Sequence, residues 1–231
     1  MQKKCFILFI AVVIILSSGY FQQRVVPIFA DEKSNPLKYL DDYEKEIANY
    51  KLNPLYPDDA FIIITIKEAI AAKREGNGPI GVCLVREIDG KILETGHNRQ
   101  NAPYFRSDMH AEMDMLTRYE DRIKMKNTIN GKPVNPRIMY QGTILYSSLE
   151  PCLMCLTRII NAGIPKVYYA AFDDPRGVAK NLQCLPEYWR EILEKKMKYE
   201  TAKCSPRLKE IAGDIFFRNM KKAQELPEKK K

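Results

Sequence analysis

The chain has 231 residues, of which 45% are hydrophobic and 29% charged, and its net charge is +8. This composition is typical of a soluble globular domain with a substantial core, and it excludes a disordered or collagen-like chain. Residues 1–30 hold three basic residues and no acidic ones, so the remainder has 34 basic against 29 acidic side chains, a net charge of +5. Part of that charge lies in a basic tail, residues 225–231, and a solvated tail explains it more simply than a nucleic-acid groove.

The N-terminal segment, residues 1–30, has the pattern of an export signal. A short positive start, MQKK, precedes an apolar run from Cys5 to Phe21. This pattern predicts a secretory signal peptide, with an uncleaved membrane anchor through residues 5–21 as the alternative. We therefore expect an exported protein, either periplasmic or secreted, or one anchored to a membrane and facing outside.

Helices and strands alternate along the rest of the chain, which predicts a layered α/β fold. Residues 31–57 are polar and Pro-containing and predict an N-terminal extension with one short helix. Asp58 or Asp59 is positioned to cap the next helix, and Asp89-Gly90 is a strong signal for a tight hairpin turn. Residues 127–142 are rich in Gly, Pro and Asn and predict a loop. The helices are expected over 38–50, 60–76, 109–124, 151–163, 186–199 and 205–224, and the strands within 79–96 and over 143–150 and 166–173.

The stretch LEPCLMC, Leu149–Cys155, contains a Cys-x-x-Cys pair at a predicted helix start. Cys152 and Cys155 are three residues apart, so they share one face of the first turn. The positive end of a helix lowers thiol pKa values, which suits a metal ligand and a redox nucleophile alike. This motif alone leaves both chemistries open.

A second motif, His110-Ala111-Glu112, favours the metal. The chain has only two histidines, and His110 with Cys152 and Cys155 makes a set of one His and two Cys. Three protein ligands leave the fourth tetrahedral position of zinc open, which is the pattern of catalytic rather than structural sites. Glu112 is close enough in sequence to carry a proton at that position without binding the metal.

The two motifs together, His-x-Glu followed by Pro-Cys-x-x-Cys, are the signature of the zinc nucleobase deaminases. The chain resembles the cytidine/deoxycytidylate deaminase superfamily over residues 58–222, through segments such as GPIGVCLV, HAEM, LYSSLEPCLMC and INAGIPKVYYAAFDD in that order. Within it, the chain looks most like the branch of guanine deaminases and tRNA adenosine deaminases. The resemblance implies a deaminase domain over residues 58–224, a three-layer α/β/α fold with a five-stranded mixed sheet, and a homodimer.

The resemblance also implies roles for the residues of the two motifs. His110, Cys152 and Cys155 would hold one Zn²⁺ per chain. A zinc-activated water would attack the amino-bearing ring carbon of a base and release ammonia. Glu112 would protonate the neighbouring ring nitrogen and then the departing ammonia.

Three further residues are implied as substrate contacts, and two of them have structural alternatives. The backbone N–H of Ala111 would contact the ring. Asn98, in GHN, falls where the branch places an Asn that hydrogen-bonds the substrate, but this residue could instead close the turn after the hairpin. Asp173 falls where guanine deaminases use an acid near the base, but it could instead cap the following helix.

The favoured substrate is a free base or nucleoside of the guanine, adenine or cytosine type, because relatives acting on tRNA work inside cells and an exported enzyme more naturally meets free bases or nucleosides. The alternatives are a nucleic-acid editing deaminase and an exported thiol–disulfide protein. Ser107–Met109 depart from the branch's usual residues before His-x-Glu, and the segment 120–142 separates the motifs more than usual. His97 is expected to be structural, and Cys184 and Cys204 could form a disulfide in an oxidising compartment.

Overall fold

The computed structural model describes residues 35–126, 128–129, 132–174 and 176–224. The predicted export segment and the basic tail lie outside the described residues. Among the residues that are described, no helix has both the length and the apolarity needed to span a membrane. The folded unit begins at Leu37.

The described residues form six α-helices, seven strands and two short 3-10 helices. The helices are α1 (Lys38–Ala48), α2 (Asp59–Arg74), α3 (Ala111–Ile123), α4 (Leu153–Ala162), α5 (Glu187–Lys195) and α6 (Pro206–Gln224). The strands are β1 (Gly81–Arg86), β2 (Lys91–His97), β3 (Thr128–Ile129), β4 (Lys132–Pro133), β5 (Thr143–Leu149), β6 (Lys166–Ala171) and β7 (Lys198–Thr201).

Five strands form one mixed sheet in the order β2-β1-β5-β6-β7. Strand β1 is antiparallel to both β2 and β5, whereas β5, β6 and β7 run parallel. Alternate residues of β1 enter two separate cores: Val82 and Leu84 pack with α3, α4 and α5, and Cys83 and Val85 pack with α1, α2 and α6. The three-layer α/β/α architecture with a five-stranded mixed sheet is therefore confirmed.

Helix α3 lies unusually close to the sheet, and this fixes the position of its first residues. A Cβ atom added at Gly96, in β2, would lie 2.7 Å from the Cβ of Met115 in α3. Because no side chain fits between them, the helix packs directly on the strand backbone. Met115 and Leu116 are fully buried on this face, whereas Met113, which the pattern predicts to face the core, is only partly buried.

The predicted N-terminal extension contributes a helix to the folded unit. Leu40 and Ile47 of α1 are buried in the core formed with α2 and α6. The Tyr43 hydroxyl donates a 2.6 Å hydrogen bond to Asp214 of α6, and Arg207 forms an ion pair with Glu46 at 2.6 Å. Helix α1 is thus joined to the outer layer by both apolar and polar contacts.

The helix predicted over residues 186–199 is shorter in the structure. Helix α5 ends at Lys195, and Lys198–Thr201 forms β7, the fifth strand of the sheet, which pairs in parallel with β6. The reason is tertiary: the backbone groups of this edge segment find partners on β6, and Tyr199 and Met197 then pack in the core.

Three smaller predictions also need correction. Helix α4 begins at Leu153 rather than Pro151, because Cys152 is extended, with φ −67° and ψ 168°. Asp58 precedes α2 but does not cap it with its side chain; its carboxylate instead accepts hydrogen bonds from the Tyr146 hydroxyl at 2.8 Å and the Lys203 backbone N–H at 2.6 Å. The segment predicted as a loop, 127–142, contains the two-stranded β3–β4 hairpin and a 3-10 helix, Pro136–Tyr140.

Candidate metal centre

Three predicted ligands meet where two helices begin, at the carboxyl end of β5. His110 immediately precedes α3 and Cys152 immediately precedes α4, and both have the extended backbone of an N-cap residue. Cys155 lies in the first turn of α4 and is fully buried. The fold therefore directs three side chains to one point from two helix N-termini, beyond the carboxyl edge of the parallel strands, where α/β sheets place their ligands.

The distances between the three ligand atoms match those of a tetrahedral zinc site. His110 Nδ1 lies 3.5 Å from Cys152 Sγ and 3.6 Å from Cys155 Sγ, and the two sulfurs are 3.7 Å apart. Zinc bonds of about 2.3 Å to sulfur and about 2.0 Å to nitrogen set S···S near 3.8 Å and N···S near 3.5 Å at tetrahedral angles. One His and two Cys in this arrangement fit a zinc ion with one position left for another ligand.

The electrostatics of the centre favour a thiolate. A hydrogen bond from the Cys155 thiol lowers the pKa of Cys152 to about 4, and a hydrogen bond with His110 acts in the same direction against the cost of burial. The pKa of His110 is raised, chiefly by the same bond to Cys152. The positive ends of α3 and α4 also stabilise negative charge here. The site thus holds one thiolate, Cys152, beside the Cys155 thiol, whose pKa the same hydrogen bond raises, and Cys155 must release its proton when a metal binds.

Glu112 provides a buried carboxyl group beside this centre. Its side chain lies in the first turn of α3, is 3% exposed and lines the same cavity as His110 and Cys152. Burial raises the pKa of Glu112 to about 7, and the negative charge of Cys152 adds to the rise. A carboxyl group with a pKa near neutrality can both accept and release a proton, which general acid–base catalysis requires.

The cavity at this centre has a volume of about 310 Å³. Its walls combine the ligands with apolar side chains and a charged pair contributed by the loop after β6. They are formed by Ile80, His110, Glu112, Glu150, Cys152, Leu153, Met154, Asp173 and Arg176. A larger cavity of about 530 Å³ lies between the ends of α3 and α4 and the 3-10 helix, remote from the ligand set, and its carboxylate Glu120 is already bonded to Tyr140 and Arg158.

The predicted substrate contacts are brought to different places. Asp173 lines the cavity, but its carboxylate forms an ion pair with Arg176 at 3.1 Å, and burial raises the pKa of Asp173 while Arg176 opposes the rise. Asn98 is buried and accepts a 2.9 Å hydrogen bond from the Gln100 N–H, so it closes the turn after the hairpin, and it is not among the described residues that line the cavity. Ala111 is the first residue of α3, and its side chain is packed in the core.

Among the described residues, His97, Cys184 and Cys204 lie apart from the centre. His97 is held between Glu68 and Glu75, through Nδ1 at 2.6 Å and Nε2 at 3.0 Å, as expected for a structural residue. Cys184 is exposed and Cys204 is buried, and both are free thiols, so the structure contains no Cys184–Cys204 disulfide.

Five residues of the cavity wall were not predicted from the sequence: the apolar Ile80, Leu153 and Met154 and the charged Glu150 and Arg176. Glu150 belongs to the LEPCLMC stretch itself, two residues before Cys152, and Arg176 follows three residues after Asp173. The proximity of both residues to predicted site residues was the available signal.

Comparison with known proteins agrees with this geometry. The model of the family described as the cytidine and deoxycytidylate deaminase zinc-binding region matches residues 56–171. The tRNA-specific adenosine deaminase of Bacillus subtilis is 30% identical over 175 residues, which cover 74% of this chain and 96% of that protein. The enzyme of the same name from Aquifex aeolicus is 27% identical over 51% of this chain and 68% of its own length.

Solved structures show the same fold. The guanine deaminase from Nitrosomonas europaea superimposes with a TM-score of 0.51 and 20% identity, covering 76% of this chain and 91% of that one. The family match spans half of the chain and includes the ligand cluster His110, Cys152 and Cys155 as well as Glu112, which lines one cavity with His110 and Cys152. The chain therefore belongs to the cytidine and deoxycytidylate deaminase family of zinc-dependent enzymes.

Proposed function

We propose that this chain is a zinc-dependent hydrolytic deaminase of a free nucleobase or nucleoside of the guanine, adenine or cytosine type. One observation carries the proposal: the three zinc-ligand atoms lie together, and two of the ligands, His110 and Cys152, line one cavity with the buried Glu112 carboxyl group. Hydrolysis of an amino group on an aromatic ring needs a nucleophile made from water, and a carrier for the protons that water gives up and ammonia takes.

Zinc, when bound, supplies a Lewis acid that lowers the pKa of water toward neutrality. Glu112 supplies the proton carrier, because its carboxyl group lies within the cavity and is shielded from bulk solvent. The Glu112 carboxyl group accepts a proton from water and delivers it to the ring nitrogen beside the reacting carbon. It then transfers a second proton from water to the departing amino group. Ile80, Leu153 and Met154 supply apolar walls against which a flat ring can pack.

The size of the cavity supports a small substrate. A volume of about 310 Å³ lies at the small end of the range of ligand pockets, which runs from about 300 to 1,000 Å³. The export pattern of residues 1–30 supports the same substrate class, since free bases and nucleosides occur outside cells and tRNA acts inside them. We propose accordingly that the enzyme works in the periplasm or outside the cell, free or attached through residues 5–21.

Nucleic-acid editing is the second candidate function. It is favoured by the 30% identity to a tRNA-specific adenosine deaminase over nearly the whole length of that protein. Both candidates include a homodimer. Exposed apolar side chains beside the cavity, such as Leu153 and Met154, support this part of the proposal.

The test is a panel of ammonia-release assays on the zinc-loaded full chain. The substrates are guanine, adenine, cytosine and their nucleosides, with inosine formation in tRNA measured in parallel. We expect one base or nucleoside to be deaminated with kcat/KM of about 10⁴ M⁻¹s⁻¹ or more, with activity lost on zinc removal and restored by zinc. Turnover of tRNA that exceeds every small substrate, with a steep decrease in binding as salt rises, would establish editing instead. Absence of turnover throughout the panel would refute both.

A further inference from the structure

Glu150 is a buried carboxylate between the metal-ligand segment and the loop after β6, of which the structure describes residues 172–174 and 176–181. We infer that Glu150 is a positioning residue that anchors this loop against the cavity and thereby sets how tightly the substrate binds. The inference rests on the proposed function, because the loop carries Asp173 and Arg176 to the wall that faces the zinc ligands.

The hydrogen bonds of Glu150 go to the loop. One carboxylate oxygen accepts from the Ala179 N–H at 2.8 Å, and the other accepts from the Asp173 N–H at 3.3 Å. The backbone N–H of Glu150 donates to the Ala171 carbonyl at 2.8 Å, at the end of β6. Glu150 thus binds both ends of the loop, and its side chain is 3% exposed.

The loop is closely wrapped around the carboxylate. A Cβ atom added at Gly177 would overlap the carboxylate atoms of Glu150, so a side chain at this position would displace the carboxylate from the loop. The N–H groups of Arg176 and Gly177 donate to the Asp173 carbonyl at 2.8 and 2.6 Å, which closes the turn around the same point. The shape of the loop and the position of the carboxylate are therefore mutually dependent.

No ion pair joins Glu150 to a lysine or arginine within the part of the chain that the structure describes. Its remaining contact is the Tyr199 hydroxyl, which lies 3.4 Å from a Glu150 oxygen and 3.1 Å from the Pro151 carbonyl oxygen. Backbone N–H groups at a carboxylate form charge-assisted hydrogen bonds, which are stronger than neutral ones. The Glu150 carboxylate therefore accepts hydrogen bonds from the backbone N–H groups of the loop and forms no ion pair with a described side chain.

Glu150 lines the same cavity as the ligands, but among the described residues its side chain bonds to the loop and to Tyr199 rather than to His110, Cys152 or Cys155. Its loss should therefore release the loop and leave the ligand atoms in place. Arg176 and Asp173 would then no longer be held at the cavity wall, and Arg176 would lose its packing at 5.1 Å over the Phe216 ring. A defect in substrate binding with retained zinc distinguishes this role from a general structural one.

The experiment compares Glu150→Ala and Glu150→Gln with the matched control Glu94→Gln in the zinc-loaded full chain. The side chain of Glu94, on β2, is also largely buried, but it forms ion pairs with Arg118 and Arg122 of α3, away from the cavity. Three quantities are measured: zinc per chain, kcat and KM separately for the substrate found in the panel, and hydrogen exchange at the amides of Asp173 and Ala179.

For Glu150→Ala we expect one zinc per chain, KM raised about tenfold or more, a smaller change in kcat, and exchange at both amides at least tenfold faster. Glu150→Gln, which keeps one acceptor oxygen, should recover part of each effect, and Glu94→Gln should show none. Gly177→Ala, whose added methyl group would overlap the Glu150 carboxylate, should separate the carboxylate from the loop and raise KM in the same direction, and it provides the test if Glu150→Ala does not fold.

Unchanged exchange and KM in Glu150→Ala would overturn the inference, as would loss of zinc in parallel with kcat. Absence of turnover in the wild type would overturn the proposed function and the binding role together. The exchange measurement needs no turnover, and it still decides whether Glu150 anchors the loop.

Discussion

Replacement of His97 by Gln removes a cation that two carboxylates share. The His97 ring bonds to Glu68 at 2.6 Å and to Glu75 at 3.0 Å, and its side chain is 8% exposed. The Glu68 hydrogen bond is the largest cause of a raised pKa for His97; Glu75 adds to it, whereas burial and the charge of Arg99 oppose it. The folded protein therefore holds the proton more tightly than the unfolded chain, whose His pKa is about 6.5.

The sign of the pH dependence follows from this shift. Because the pKa of His97 is raised on folding, the protonated ring stabilises the folded state, and this stabilisation is fully present below about pH 6.5. That contribution is lost as pH rises through the folded-state pKa of His97. Charged hydrogen bonds contribute about 1.5–3 kcal/mol each when buried, and the bond to Glu75 is discounted because that side chain is 46% exposed. We expect His97→Gln to cost about 2–3 kcal/mol at pH 6.

The assay is urea denaturation of wild type and His97→Gln at several pH values between 5.5 and 9. The control is Arg74→Gln, which also removes a cation from between two carboxylates, Asp41 and Glu44, both at 2.7 Å. All three of these side chains are more than 40% exposed, so the control should cost less than about 1 kcal/mol, with no pH dependence in this range. A deficit of His97→Gln that stays constant or grows with pH would refute the reasoning.

Cys155→Ser should reduce bound zinc to well below one per chain by metal analysis and should make the melting temperature insensitive to added zinc, because one of three ligands is lost. Gly96→Ala should lower the free energy of unfolding by about 1–3 kcal/mol in chemical denaturation, because its Cβ would lie 2.7 Å from Met115 Cβ; a neutral effect would show that α3 moves freely over β2. In the zinc-loaded native protein, an alkylating reagent should modify Cys184 and leave Cys204 unmodified in mass spectrometry, because only the former is exposed; equal labelling would contradict the described core.

Most of the fold follows from local patterns in the sequence. The Asp89-Gly90 turn between two β-rich runs predicts the β1–β2 hairpin, and the helical spacing of apolar residues predicts α2 and α6, all of which are confirmed. Strand β7 could not be found in this way. Its four residues, Lys198–Thr201, alternate charged residues with Tyr and Thr, but so short a run directly after a helical pattern reads as the end of the helix, and it becomes a strand where β6 offers an edge to pair with.

The chemistry of the site was more predictable than its walls. Few side chains bind zinc and the chain has only two histidines, so His110, Cys152 and Cys155 were nearly determined by residue type, and the structure brings them together. Glu150 and Arg176 are held at the cavity by contacts of the loop after β6: the Ala179 N–H bonds to the Glu150 carboxylate, and Arg176 pairs with Asp173. Such contacts depend on the tertiary fold, and sequence spacing does not reveal them.

We propose that the buried Glu112 carboxyl group carries the proton transfers at the zinc centre. The most direct test measures ammonia release by wild type and Glu112→Gln, each with its zinc content determined on the same sample. Glutamine keeps the shape of the side chain and cannot carry the proton, so kcat should fall by about 10²–10⁴-fold while one zinc per chain remains. A variant with equal zinc and a kcat within a few-fold of wild type would contradict the account.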